Sequence, residues 1–167
     1  MITLRPLTPD DWPLWREVRL AALADAPRAF GSRLADWQGE NDREERWRER
    51  LVLPGARTLV AEWEGAPVGV AGGVPIPGAE DVAEPVSMWV AGPARGRGVG
   101  DRLITAVEQW AREEHGAVAL RLAVAPDNPH AAALYRRRGF RRTDLPGNTL
   151  PDGRVEHIME KPLTSLD

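Results

Sequence analysis

The residues with the clearest chemical purpose lie in one short run, Val90-Ala91-Gly92-Pro93-Ala94-Arg95-Gly96-Arg97-Gly98-Val99-Gly100-Asp101. Strand-like residues end at Val90, glycines follow at 96, 98 and 100, and a helical pattern begins at once. A helix that starts straight from a loop leaves its first N–H groups unpaired and carries about half a positive charge there. Glycine removes the Cβ that would hold a ligand away from those groups. Arg95 and Arg97 add full charges at the same place. The combination predicts a cradle for a phosphate group, and a pyrophosphate suits it best. Two other nucleotide sites fail on spacing. A P-loop needs Lys and then Ser or Thr after its last glycine, where this chain has Val99-Gly100-Asp101 after Gly98. A dinucleotide fingerprint spaces its glycines G-x-G-x-x-G in an N-terminal unit, whereas this loop lies well past the middle of the chain.

Three further side chains could act on a ligand held there. Asn128 and Tyr135 stand seven residues apart, nearly on one line of a helix at ~3.6 residues per turn. Asn128 suits the N-cap of that helix. Tyr135 is the single tyrosine of the chain, and by periodicity alone it is as readily a packing residue as a chemical one. Glu84 alternates onto a strand face with Val82, Val86, Met88 and Val90. Desolvation there would raise its pKa toward that of a useful base. Pro85 beside it also allows an edge strand with the carboxylate in water. His157, on the last strand, is the alternative base.

The elements that must position these groups follow from periodicity and turn chemistry. Ile2–Leu7 reads as a strand. A helix capped by Asp10 or Asp11 follows, with Leu14, Val18, Ala21 and Ala22 on its buried face, ending near Pro27. Residues 30–41 read as irregular, and Arg43–Leu53 as a charged helix held by Trp47 and Leu51. Arg57–Trp63 and Pro67–Ile76 form a hairpin around Glu64-Gly65. A loop at 75–80 leads to a strand at Val82–Val90, then the glycine loop and a helix to Glu114 with Val99, Leu103, Val107 and Trp110 on one side. A strand at Ala117–Val124, a helix at Asn128–Arg138, and strands at 140–143 and 154–161 around a 146–153 loop complete the chain. The expected class is α/β (α+β). One domain over 1–167 should hold a mixed, mostly antiparallel sheet with flanking helices and a central β-α-β crossover.

Arg95-Gly96-Arg97-Gly98-Val99-Gly100 resembles the R/Q-x-x-G-x-G/A acetyl-CoA motif of the GNAT superfamily of N-acetyltransferases. Asn128, Ala131, Leu134, Tyr135, Gly139 and Phe140 fall in the pattern N-x-x-A-x-x-L-Y-x-x-x-G-F, which resembles that superfamily's next motif. The two occur in order with room for a helix and a strand between them. The likeness covers Val82–Arg142, with the first 80 residues fitting by element order. One departure is Gly92 where proline is usual, with Pro93 one place later. The resemblance implies an acetyl-CoA-binding core at about 82–142 and direct attack of an amine on the thioester in a ternary complex. It implies cofactor contacts at Trp89, Val90, Arg95, Gly96, Arg97, Gly98, Val99, Gly100, Asp101, Asn128 and Tyr135, with Val90 bonding the pantetheine amides. Tyr135 would protonate the leaving thiolate. Glu84 stands eleven residues before Arg95, the separation of the general-base glutamate in the histone-acetylating branch. A non-catalytic acyl-CoA sensor would keep both motifs and need neither Glu84 nor Tyr135.

Composition bounds the rest. At 167 residues, 43% apolar and 28% charged, the chain has the usage of one globular domain. With no cysteine and three histidines, neither a thiol nucleophile nor a metal site is expected. No apolar run or leader pattern points to a membrane, so a cytoplasmic location is expected. Residues 95–142 hold ten Arg and five acidic residues, a balance of +5, against −3 for the whole chain. A basic block in an acidic protein suits a local anionic ligand better than nucleic acid. Arg136–Arg138 and Arg141–Arg142 lack the interleaved aromatics of an RNA surface. The expected partner is a small-molecule or peptide amine acceptor, with a homodimer allowed. Asp36, Glu40 and Asp42 are candidates to receive a cationic amine.

Overall fold

A computed structural model of the chain describes residues 1–30 and 32–163. Its elements are β1 (Ile2–Pro6), α1 (Trp12–Asp25), α2 (Glu44–Val52), β2 (Arg57–Trp63), β3 (Ala66–Ile76), β4 (Ala79–Val90), α3 (Val99–Glu113), β5 (Ala119–Val124), α4 (Pro129–Arg137), β6 (Arg141–Thr149) and β7 (Val155–Pro162). Short 3-10 turns occupy Leu34–Trp37 and Gly39–Asn41 in the irregular segment. The strands form one sheet in the order β1-β2-β3-β4-β5-β7-β6. Among the described residues only the β4–β5 neighbours are parallel, joined by the crossover through α3. The expected class and topology are therefore the observed ones.

Local chemistry sets the hairpins. Glu64 and Gly65 both have positive φ, 50° and 85°, the geometry of a two-residue turn that matches strand twist. β3 and β4 run longer than expected. Their link is a tight turn at Pro77-Gly78, with Gly78 at φ 83°, and not a loop over 75–80. β6 likewise extends to Thr149, into the segment expected as a loop at 146–153, and the remainder of that segment is the turn before β7. β6 is the last strand of the sheet, where Pro146 and Gly147 are tolerated and the register shifts on both sides of Pro146.

The two faces of the sheet carry separate apolar cores. On one, α3 packs Val99, Leu103, Val107 and Trp110 against Leu59, Ala61, Ala71 and Ala83, joined by Tyr135 and Phe140. On the other, Trp15 and Val18 of α1 and Trp47 of α2 pack against Val60 and Val70. The buried face of α1 is Trp15, Val18, Arg19, Ala22 and Leu23, and Ala21 is exposed. That corrects the expected face by about one position, because the large Trp15 takes the core site and Leu14 is only half-buried. No helix among the described residues is long and apolar enough to cross a membrane.

The approach of α3 to the sheet depends on small residues in β3. A Cβ at Gly73 would lie 2.3 Å from Trp110 Cζ3, and one at Gly69 would lie 3.1 Å from Val99 Cγ1. Gly73→Ala is therefore expected to destabilise the fold by ~1–3 kcal/mol through overpacking, read as a lower midpoint in urea denaturation at unchanged slope.

Candidate active site

The cradle forms where β4 ends. Gly96 and Gly98 adopt left-handed φ of 78° and 80°, and Gly98 is the N-cap of α3. A Cβ built on either would meet nothing within 4 Å. These glycines are thus demanded by backbone conformation, and the space before the first N–H groups of α3 is open. Gly100 has a different reason. Its Cβ would lie 3.1 Å from Leu134 Cδ2 and 3.8 Å from Val90 Cγ2, so it lets α3, α4 and the end of β4 meet. Val99 is buried in the α3 core and contributes only its backbone to the loop.

The charged groups around the cradle are partly engaged. Arg95 donates from Nε to the Val90 carbonyl at 3.0 Å and from Nη2 to Asp25 Oδ2 at 2.6 Å. The Trp89 indole donates to the same Asp25 oxygen at 2.9 Å. These bonds lower the Asp25 pKa, with the Trp89 bond as the largest cause. Asp25 at the end of α1 therefore ties the strand end to the loop, a role that sequence reasoning missed. Trp89 packs with the α1–α2 core, and one lone pair of the Val90 carbonyl is already taken. Arg97 lies with its guanidinium carbon 5.2 Å from the Trp63 ring centroid. Asp101 accepts from Arg137 Nη2 at 2.9 Å, so its carboxylate braces α3 against α4.

Beside the cradle the sheet parts. The register between β4 and β5 comprises Val82↔Ala119 and Ala83↔Leu120, although β4 runs on to Val90 and β5 to Val124. Asn128 caps α4 as expected, its side chain accepting from the Ala131 N–H at 3.2 Å. Tyr135, on α4, is buried with its ring 5.6 Å from that of Phe140, edge to face. Burial pushes the phenol pKa up, which keeps the proton on oxygen.

Glu84 is placed differently from the expected alternation. Val86 pairs with Gly72 and Trp89 with Val70, so β4 holds one extra residue between these pairs, and Ser87 there has φ 59°. This bulge reverses the faces. Met88 and Val90 join the α3 core, whereas Val86, before the bulge, and Trp89, after it, lie on the α1–α2 face. Glu84 shares the face of Val86. Its pKa is raised, chiefly by burial, with Arg50 and Arg121 opposing. Glu156 on β7 is raised as well, first by burial and then by the charge of Glu84. His157 is paired across from Val124, so it shares the α3 face and lies opposite Glu84 in the sheet. Of the acidic residues expected to receive an amine, Asp42 is committed to structure. It accepts from Arg16 at 2.8 and 2.6 Å and from the Trp47 indole at 2.8 Å, and its pKa falls to about 2 through the Arg16 bond first. Asp36 accepts from the Arg33 N–H at 2.9 Å.

A parted β4–β5 pair with a glycine-lined helix start at its end defines a class. Residues 15–140 match the Acetyltransferase (GNAT) family, and the chain belongs to it. Over 115 residues it is 36% identical to the L-2,4-diaminobutyric acid acetyltransferase of Nocardia farcinica. That match covers 65% of this chain and 57% of the relative, so the chain spans little more than half of that protein's length. It is similar in fold to the acetyl-CoA complex of yncA from Salmonella typhimurium, at TM-score 0.76 and 21% identity over 100% of this chain and 96% of that one. It is also similar to the coenzyme A complex of the paia N-acetyltransferase from Thermoplasma acidophilum, at TM-score 0.77 and 20% identity over 98% and 99%.

The open space at Gly98 gives a direct test of the cradle. Gly98→Glu puts a carboxylate where an anion would lie, and like charges brought together cost enough to lower coenzyme A affinity ~10-fold or more. Calorimetry should read that loss in a variant whose circular dichroism is native; an unchanged Kd contradicts the assignment.

Proposed function

We propose that the protein transfers the acetyl group of acetyl-CoA to a primary amine of a small molecule or peptide, by direct attack within a ternary complex. One observation carries this reading: the β4–β5 register stops at Ala83 and Leu120, and the gap opens beside the glycine-lined start of α3. The residues fit the group. Backbone N–H groups from Gly96 to Gly100 and the charge of Arg97 suit a pyrophosphate, in space that a Cβ would otherwise fill. Unpaired strand groups of β4 suit the amides of a pantetheine arm. Acetyl-CoA supplies an activated thioester with a thiolate leaving group. The similarity to a diaminobutyric acid acetyltransferase supports a small amine as acceptor.

Tyr135 and Glu84 then have separate tasks. A phenol raised above its ordinary pKa of ~10 does not readily surrender its proton to a thiolate near ~8.5. Tyr135 therefore works as a hydrogen-bond donor to the charge growing on sulfur, and keeps its own proton as the thiolate departs. Glu84, desolvated and in no ion pair among the described residues, takes the proton of the attacking amine, directly or through water. No covalent enzyme intermediate is needed.

Tyr135→Phe removes one hydroxyl and leaves the contact with Phe140. Turnover is expected to fall ~10²–10⁴-fold with coenzyme A affinity unchanged; wild-type kcat in this variant would remove Tyr135 from the chemistry.

A raised Glu84 pKa means that the base is lost to protonation as pH falls through a value above that of an ordinary glutamate. The pH profile of kcat/KM should break there on its acid side, and Glu84→Gln should abolish that break. A profile identical to wild type would assign the proton to another group.

A further inference from the structure

Arg19 is a charged side chain in apolar surroundings. It lies on the buried face of α1, is 8% exposed, and its Nη1 is buried without a hydrogen-bond partner among the described residues. A buried charge left unpaired costs stability, so such a group needs a reason. Its guanidinium carbon stands 4.9 Å from the Phe30 ring centroid, a contact that orients the fork but supplies no negative charge. Burial and then the charge of Arg50 lower its pKa to about 10, so it stays protonated at neutral pH. Arg50 of α2 stands 5.8 Å from the Trp15 ring centroid and reaches Ser87 Oγ at 3.4 Å, at the bulge of β4.

The neighbours of Arg50 continue the pattern. Glu84 feels the charge of Arg50, and Glu156 feels that of Glu84. Other arginines nearby are satisfied elsewhere: Arg121 pairs with Glu160 at 2.6 Å, and Arg154 pairs with Asp127 and Asp152. Geometry joins them in one row of two cations and two carboxylates: Arg50 lies over Trp15, one turn before Arg19, and reaches Ser87, three residues past Glu84, while Glu156 shares the sheet face of Glu84. The row lies on the sheet face that carries α1 and α2, beside the parting of β4 and β5.

We propose that this row binds the acceptor as a dipole, its carboxylate on Arg19 and Arg50 and its amine beside Glu84 and Glu156. The acceptor is then a small amino acid, carrying both groups within one short molecule, and not a polyamine or an internal residue of a peptide. This rests on the acetyl-transfer reading and narrows it. Guanidinium forks match carboxylates in plane and spacing, and a ligand carboxylate would balance the positive charge that Arg19 and Arg50 bring together without a carboxylate partner among the described residues.

The test compares common α-amino acids with their carboxamides as acceptors for the full chain and acetyl-CoA. The acids should be preferred roughly 10- to 100-fold in kcat/KM, the usual worth of hydrogen bonds to a charged group. In Arg19→Met the acid-to-amide ratio should collapse to about 1, with the loss in KM, while the Tm holds or rises because an unpaired buried charge is gone. Arg19→Lys should recover part of the ratio. Equal use of acids and amides by the wild type, or an undiminished ratio in Arg19→Met, overturns the proposal while acetyl transfer stands. If no amine is acetylated, the functional reading fails instead. Thermal shifts in the presence of coenzyme A then decide the anion site: stabilisation by the acids that is lost in Arg19→Met supports it, and no difference between acids and amides overturns it.

Discussion

β4 and β5 begin as paired parallel strands and stop sharing hydrogen bonds after Ala83 and Leu120. Backbone N–H and C=O groups inside a sheet are costly to leave unpaired. Each strand is secured from its outer side, β4 by β3 and β5 by six register pairs with β7. The parting between β4 and β5 therefore leaves the facing backbone groups beyond Ala83 and Leu120 without each other as partners. The rest of the site depends on this parting. The glycine loop lies at its β4 end, Asn128 begins α4 shortly after β5, and the bulge at Ser87 decides which β4 side chains look to either side.

Charge is distributed to suit the two faces. The junction at Gly96–Gly100 places a helix N-terminus beside Arg95 and Arg97. Asp25 restrains Arg95 and Trp89 so that the strand end keeps its shape. On the α1–α2 face, Asp42 locks α1 to α2 through Arg16 and Trp47. That lock holds the helices that bear Arg19 and Arg50. A small acceptor site needs such rigid support, because misplacement by about 1 Å can cost ~10²-fold in rate.

Local signals made much of this legible in the sequence. The Glu64-Gly65 turn, the Asn128 cap and the alternating glycines each act through neighbours a few residues away, so their spacing could be read directly. The face of Glu84 could not, because the bulge at Ser87 is set by pairing with β3, and plain alternation put Met88 and Val90 beside it. Asp25 was hidden for a similar reason, as its bond to Arg95 joins residues 70 apart. Arg19 had a signal that went unused: it stands four residues after Trp15 and three before Ala22, on the buried stripe of α1. An arginine there reads as surface unless the stripe is placed correctly, and the expected stripe was about one residue off. The turns at 77–78 and 150–154 are shorter than the loops expected at 75–80 and 146–153, because proline and glycine also occur in tight turns and edge strands.

The central claim is that coenzyme A occupies the parted sheet and the start of α3. Amide hydrogen exchange with and without saturating coenzyme A tests it most directly. The account predicts slowed exchange at the amides of residues 96–101 and at the end of β4 near residues 88–90, with β1 and β2 little changed. Binding that leaves those amides at their free rates while protecting another surface would contradict it.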